Sequence, residues 1–481
     1  MREIWRVFLI LGVILSTGNM IEAQVMNSLY FMPGVPQSNR INPAYQPNAG
    51  FYFGIPGISP ISSRVSSNSL TFGDIIFPHP SEDSLITFLH PLADKEAFLK
   101  QLKPLNYVIS EVGTSLFSLG FRTGAGFFSL DVTTRLEGNL YIPGDLARLV
   151  IEGADDGLTY NLDGIGADIS GFEEISVGWS GNIGQKLQIG VRGKLLFGIG
   201  NLTTNESRLT VTTSEDAWNL HANMLYNASL PFAEVVYDDE GMIEDIVIDE
   251  ELLNLNSYTL ARYAFNKGNI GTGIDLGINY RPGERWLLSA SLLDLGFIQW
   301  KDNVHQVSYE LDYDYTSVDV DPFDFLDDNN TSDTYIDSVL TALTDTLRIG
   351  LNFSQGQAYS SRLNTKLYLG ASWNVTPNIN FGLLSRTDFL RNAVVEQVTA
   401  SANFTTGRVL NFTLSYSYIN SYFKNVGAGI SLNAGPLNLF VISDNALNAV
   451  FWAQETRSAN LWFGINLVFG YKEKMDLPLI H

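Results

Sequence analysis

From Leu187 to Ile199, apolar and polar residues alternate with a single exception. Leu187, Ile189, Val191, Leu195, Phe197 and Ile199 share one face, Gln188, Gly190, Arg192, Lys194 and Gly198 share the other, and Leu196 breaks the rule. Successive side chains of a strand point to opposite faces, so this segment carries one apolar surface and one charged surface. The preceding segment repeats the pattern, with Ile175, Val177 and Trp179 opposed to Glu174, Ser176, Gly178 and Ser180, and a hairpin around 182–186 joins the two. Thr272, Ile274, Leu276, Ile278 and Tyr280 alternate with Gly271, Gly273, Asp275, Gly277 and Asn279. Arg281-Pro282-Gly283 then turns the chain into Trp286, Leu288, Ala290 and Leu292. Similar segments cover roughly 110–122, 127–141, 358–373, 379–388, 394–405, 409–419, 424–434, 437–444 and 459–470. They are too numerous for an ordinary sandwich.

Apolar-out, polar-in segments of about ten residues are what tilted strands with one face on lipid require. After the first two dozen residues no apolar run of about 18 exists, which excludes a helical membrane protein and leaves a closed barrel as the spanning structure. The fold class is therefore all-β, a transmembrane antiparallel up-and-down β-barrel. Its expected strand count is about 14 if the segments 207–213 and 218–229 extend a hairpin above the membrane, and 16 if they cross. Short links at 123–126, 182–186, 281–285, 374–378, 406–408 and 435–436 are separated mainly by longer ones. Short turns are periplasmic and long loops extracellular in such barrels, so both chain ends are expected in the periplasm. Trp179, Tyr280, Trp286 and Trp373 lie near the short turns, as an interfacial aromatic girdle would.

Composition agrees. The 481 residues include 42 Gly, 29 Phe, 21 Tyr and 8 Trp with only 17% charged residues, whereas soluble domains carry about 25%. A net charge of −22 argues against a nucleic-acid partner. The chain has no cysteine, so disulfides, thiolate metal sites and cysteine nucleophiles are all excluded. At the N-terminus Arg2 and Arg6 precede an apolar run from Val7 to Leu15, and Ala23 stands before Gln24, the pattern of a cleaved signal peptide. The expected organisation is a signal peptide over 1–23, a Pro-, Asn- and Gly-rich periplasmic or plug-like segment over 24–60, and a barrel over 61–471. Acidic extracellular loops are expected at 231–256 and 301–346, and a periplasmic tail at 472–481.

No residue set asks for a cofactor or an enzyme. Asp312, Asp314, Asp319, Asp321, Asp324, Asp327 and Asp328 are hard oxygen donors, but without the glycine and terminal glutamate of a calcium loop they read as a solvated charge run. The five histidines are scattered. Neither Gly178-Trp179-Ser180-Gly181 nor the serines at 289 and 291 form a nucleophile elbow. The lumen-facing polar candidates are Glu174, Arg192, Lys194 and Asp275, whose expected role is ion pairing across the lumen.

The segment Arg40-Ile41-Asn42-Pro43-Ala44-Tyr45, with Asn42, Pro43 and Ala44 as its core, resembles an element near the mature N-terminus of Bacteroidota outer-membrane barrels. With it stand Asp275-Leu276-Gly277, Asp294-Leu295-Gly296-Phe297-Ile298-Gln299-Trp300, Ser443-Asp444-Asn445 and the terminal Gly464 to Gly470. Together they resemble an uncharacterised barrel family related to FadL-like and PorV/PorP-like barrels. In FadL-like transporters, an N-terminal segment plugs the lumen and hydrophobic cargo passes through the wall. PorV-like barrels serve type IX secretion. The resemblance thus implies an outer-membrane channel or transporter for small, hydrophobic molecules, with outer-membrane lipid as its surroundings. The alternative is a non-transporting barrel that docks secretion or surface-assembly proteins.

Overall fold

The computed structural model describes residues 27–470 apart from 80, 82–83, 89, 91, 153–156, 215–216, 238–242, 250–256, 317–350, 408 and 420–421. The expected signal peptide, most of the second acidic stretch and the expected tail from 472 lie outside the described residues.

Fourteen antiparallel strands close a ring. In chain order they are β1 (Phe51–Gly54 and Ile61–Ser67), β2 (Leu105–Thr123), β3 (Gly126–Pro143), β4 (Gly166–Ile183), β5 (Leu187–Thr213), β6 (Ile270–Tyr280) and β7 (Trp286–Trp300). The ring continues through β8 (Tyr359–Arg362 and Thr365–Thr376), β9 (Ile379–Phe389), β10 (Val394–Thr406), β11 (Leu410–Ile419), β12 (Tyr422–Ala434), β13 (Leu437–Ser443) and β14 (Ser458–Phe469). Each strand pairs with its sequence neighbours, and both pieces of β1 lie between β14 and β2, so the ring closes. Closure satisfies every backbone ladder without water, which a strand wall in lipid needs. The outer face is apolar: Leu276, Ile278, Leu288, Leu369, Leu383 and Val398 are all exposed. The inner face of the same strands is polar and buried, as at Asn279, Ser289, Ser291 and Thr399.

The plug boundary expected at residue 60 is corrected by this pairing. Phe51–Gly54 already belongs to the wall, registered with Phe469 to Asn466 on one side and Phe121 to Ser118 on the other. Residues 27–50 lie inside the ring, and their first residues do not sit at the short-turn end as expected. Asn27 and Ser28 bond to Asp444, which follows the long-loop end of β13, while Gly50 bonds to Phe469 and Gly470 at the other end.

The second correction concerns the acidic stretch at 301. Val304–Thr316 is a strand that pairs along its whole length with Ala217–Ser229, which in turn pairs with the upper part of β5. This sheet rises beyond the ring and has an apolar core of its own. Leu149 of helix α1 (Gly144–Glu152) packs there with Tyr160, Leu209, Val211, Met224 and Tyr309. The acidic side chains Glu310 and Asp312 take the opposite, exposed face. In the other acidic stretch, Ala233–Tyr237 pairs with Ile243–Ile248 as a small hairpin.

Candidate functional site

The lumen is filled from two sources, the wall itself and residues 27–50. The wall's contribution depends on one irregularity. Between β6 and β7 the register shifts: Ile274 faces Leu295 and Leu276 faces Leu292, so Leu293 and Asp294 together oppose the single residue Asp275. This is a β-bulge, and Asp294 takes the left-handed φ of 59° that such a position needs and that Asp tolerates better than most residues. Its backbone N–H donates to Asp275 Oδ1 at 2.7 Å. The bulge turns Leu293 and Asp294 inward in succession, and the apolar outer face resumes at Leu295 with opposite parity.

Asp294 is thereby placed where cations from three other strands converge. Arg135 of β3 donates to both of its oxygens at 2.8 and 2.9 Å, Lys194 of β5 at 2.5 Å, and Lys366 of β8 at 3.1 Å. Around this hub the charges interlock. Lys194 also reaches Asp275 at 2.8 Å and Glu174 at 3.6 Å, Arg135 reaches Glu174 at 2.8 Å, and Arg192 pairs with Asp131 at 2.8 Å. The four residues singled out from the sequence thus lie in one buried belt. Arg192, however, takes Asp131 as its partner, a residue the sequence reading did not name.

The belt spans the barrel from wall to wall. Lys366 of β8 lies 3.3 Å from Glu111 of β2, and Arg64 of β1 lies 3.0 Å from Asp388 of β9. These strands stand on opposite sides of the ring, so the cross-section is flattened and its two walls are tied directly. Arg386 holds Asp388 from the same strand at 2.6 Å. Buried charges at such spacing are tolerated only when paired and hydrogen-bonded. A cavity of about 130 Å³ remains beside the belt, lined among others by Arg40, Glu111, Arg135, Asp294, Tyr368 and Trp462.

Residues 27–50 fill the rest. Arg40 donates to Ser115 at 2.7 Å and Thr133 at 3.0 Å, Gln37 to Asn466, and Asn42 to Asn279 at 2.9 Å and Tyr30 at 3.1 Å. The Asn42-Pro43-Ala44 element is a tight Asx turn, closed by the Ala44 N–H on Asn42 Oδ1 at 3.0 Å. It lies directly on two wall glycines, Gly190 and Gly277, where any Cβ would collide with its backbone. These strand glycines therefore make room for the turn. Gly277→Val is expected to overpack this contact at a cost of about 1–3 kcal/mol. The expected sign is a lowered thermal unfolding midpoint, while Gly193→Val, whose Cβ meets open space, should leave it near wild type.

Upstream of the turn the segment is apolar. Leu29, Tyr30, Phe31, Met32 and Val35 pack against Leu293, Tyr368, Leu384, Phe440, Ile442 and Trp462, a strip of apolar residues on the inner wall. The Trp462 indole N–H is buried there without an acceptor. This strip borders a break in the wall. The β13 ladder ends at the pairs Ser443 with Ala428 and Ile442 with Trp462, and among the described residues no strand stands between the upper parts of β12 and β14. Helix α2 (Ala446–Phe451) stands at that place, with Asn448 buried and Leu447, Val450, Phe451 and then Trp452 exposed.

A family model described as "Family of unknown function (DUF5723)" matches residues 43–444. The chain belongs to this family. No curated protein matches this DUF5723 member in sequence. Solved structures similar to it include the Ralstonia pickettii toluene transporter TbuX, at 8% identity and a TM-score of 0.38, covering 94% of this chain and 96% of that one. The Pseudomonas putida toluene transporter TodX is similar at 9% identity and a TM-score of 0.35, over 93% and 97% of the two chains. A Pseudomonas aeruginosa FadL homologue is similar at 9% identity and a TM-score of 0.36, over 93% and 96%.

The aromatic residues singled out from the sequence lie at the short-turn end of this DUF5723 barrel. Trp286 and Trp373 stack at 6.3 Å and are exposed, Tyr280 is exposed, and the Trp179 indole donates to Ala125 at 3.1 Å. The hub residue Asp294 heads the Asp294–Trp300 motif but is not among the lumen-facing candidates read from the sequence. Its signal lay in the sequence, because the alternation through Leu288, Ala290 and Leu292 resumes at Leu295 and Phe297, one residue out of phase.

Proposed function

We propose that this protein is an outer-membrane barrel that passes small apolar molecules between its lumen and the bilayer, at the break between β12 and β14. The observation that carries the reading is the apolar inner strip occupied by Leu29 to Met32, which reaches Ile442 and Trp462 beside that break. A water-filled pore is polar inside. An apolar strip serves an apolar occupant, and in this conformation the occupant is the chain's own segment. Short turns face the periplasm in this reading, and the sheet above β5 faces outward.

Magnitudes limit how the segment could move. Withdrawing residues 27–50 entirely would expose Leu29, Tyr30, Phe31, Met32, Val35 and Ile41, at roughly 1.5–3 kcal/mol each and so on the order of 10 kcal/mol in all. Exchange is confined to the tip, residues 27–32, because Val35 and Ile41 then stay buried and an apolar cargo covers the strip that Leu29 to Met32 vacate. The tip swings about Gly34, whose φ of 86° lies between Pro33 and Pro36, while the Asn42-Pro43-Ala44 turn stays seated.

The Oγ atoms of Ser28 and Ser415 lie 2.6 Å apart, and the chain has no other thiol to interfere. A Ser28→Cys, Ser415→Cys pair should form a disulfide that pins the tip. In cells carrying this variant, uptake of benzene should fall on oxidation and return on reduction. Uptake that ignores the redox state would overturn the proposal.

A second reading, docking of a secretion or surface-assembly partner, draws support from the sheet above β5 with its separate apolar core. Capture of a stoichiometric partner from native membranes, lost when Asn223 and Glu310 on the exposed face are reversed in charge or size, would favour it over passage.

A further inference from the structure

We infer that the molecule exchanged at the tip is an amphipathic amine, its primary ammonium held by Asp444 with Asn425 and Asn445 and its apolar body lying on Phe440, Ile442 and Trp462. This rests on the passage reading and names the class of its cargo.

Asp444 is fully buried and forms no ion pair among the described residues; Arg386, paired with Asp388, acts on it only at longer range. Its charge is met by the tip instead. The backbone N–H groups of Asn27 and Ser28 donate to Oδ2 and Oδ1 at 2.8 and 2.7 Å, and the Ser28 hydroxyl donates to Oδ1 as well. When the tip leaves, all three donors leave with it.

What remains near the carboxylate is the Ser415 hydroxyl, the Gln397 amide and two amide oxygens that accept no hydrogen bond among the described residues. The Asn445 side-chain NH2 is committed to the Ser458 carbonyl, and that of Asn425 to the carbonyls of Ser417 at 3.2 Å and Tyr422 at 3.0 Å. Carbonyls cannot donate, which fixes both amide orientations and leaves both Oδ1 atoms buried without a donor. Asn445 adjoins Asp444 in the chain. Asn425 lies two residues from Gly427 on the same inward face, and a side chain at Gly427 would run into Asp444 and Ser28.

An ammonium group has three donors and no acceptor, and so replaces the three donors that the departing tip takes from Asp444. A carboxylate would bring like charge to Asp444, and an alcohol would bring one donor without charge. The tip shows the same division: donors on Asp444, then Leu29 to Met32 along the apolar strip.

The test is calorimetric titration of the full-length barrel in detergent with n-hexylamine, n-hexanol and n-hexanoate at neutral pH. The amine should bind at least about tenfold more tightly than either analogue, because charge-assisted bonds are the strong ones. Asp444→Asn should abolish the preference, and Asn425→Asp, which adds a second carboxylate, should increase it. The second variant keeps the inference testable if the first fails to fold. Equal binding of amine and alcohol, or tighter binding of hexanoate, overturns the amine and leaves apolar passage standing. Binding of none of the three overturns both.

Discussion

Asp294→Ala is expected to lower the unfolding free energy by roughly 3–5 kcal/mol, the range found when one partner of a buried charge cluster is removed. Arg135, Lys194 and Lys366 all converge on its carboxylate, and the remaining acids are already shared among them. Glu174, for example, serves both Arg135 and Lys194. Without Asp294 the lumen would hold an excess of buried positive charge that no bulk water can reach at small cost. The measurement is the urea midpoint of the refolded barrel in detergent. Asp294→Asn should fall less far, since the amide keeps the backbone's left-handed preference and one acceptor. If Asp294→Ala unfolds like wild type, the belt is not a source of stability, and the cross-lumen ties described above are incidental.

Leu29→Ser combined with Met32→Ser is expected to loosen the tip, which keeps Tyr30 and Phe31 in the strip. Leu29 and Met32 are almost fully buried there, and truncating such a side chain typically costs about 2–5 kcal/mol. Together the two losses are comparable with what the three hydrogen bonds on Asp444 and the one on Ser415 supply, at about 1.5–3 kcal/mol each for those on the carboxylate and about 1 for the neutral one. In planar bilayers the variant should show a steady small-ion conductance where the wild type is silent. That conductance should remain well below that of an open fourteen-strand ring, because the ties from β1 to β9 and from β2 to β8 still divide the lumen. A silent variant would mean that the tip does not seal that side. A large conductance would mean that the belt is not a barrier.

Most of the wall was legible because alternation on a two-residue period records which face meets lipid, and at Val191, Leu195, Leu276 and Leu288 nothing competes with that demand. What escaped was whatever the lumen decides. Gly190 and Gly277 look like generic strand glycines until the Asn42-Pro43-Ala44 turn is placed on them. Asp131, Asp294 and Lys366 are ordinary inward polar residues until the flattening of the ring brings opposite walls together, a tertiary fact with no local trace except the phase slip at Leu293. The strand at 304 was missed for a different reason. Tyr309 alternates there with Glu310, and Leu311 with Asp312, but the density of acid reads as a solvated loop when nothing indicates that the apolar partners have a core to enter.

The 27 residues of β5 run from the short-turn end of the ring to the top of the external sheet, on the order of 90 Å at strand rise, with bulges at Ile199 and Asn205. One end carries Arg192 and Lys194 within the belt, and the other carries Leu209 and Val211 within the external core. A load on the external sheet therefore reaches the ion pairs of the belt along one continuous strand, so that sheet and the bore of the barrel are mechanically coupled.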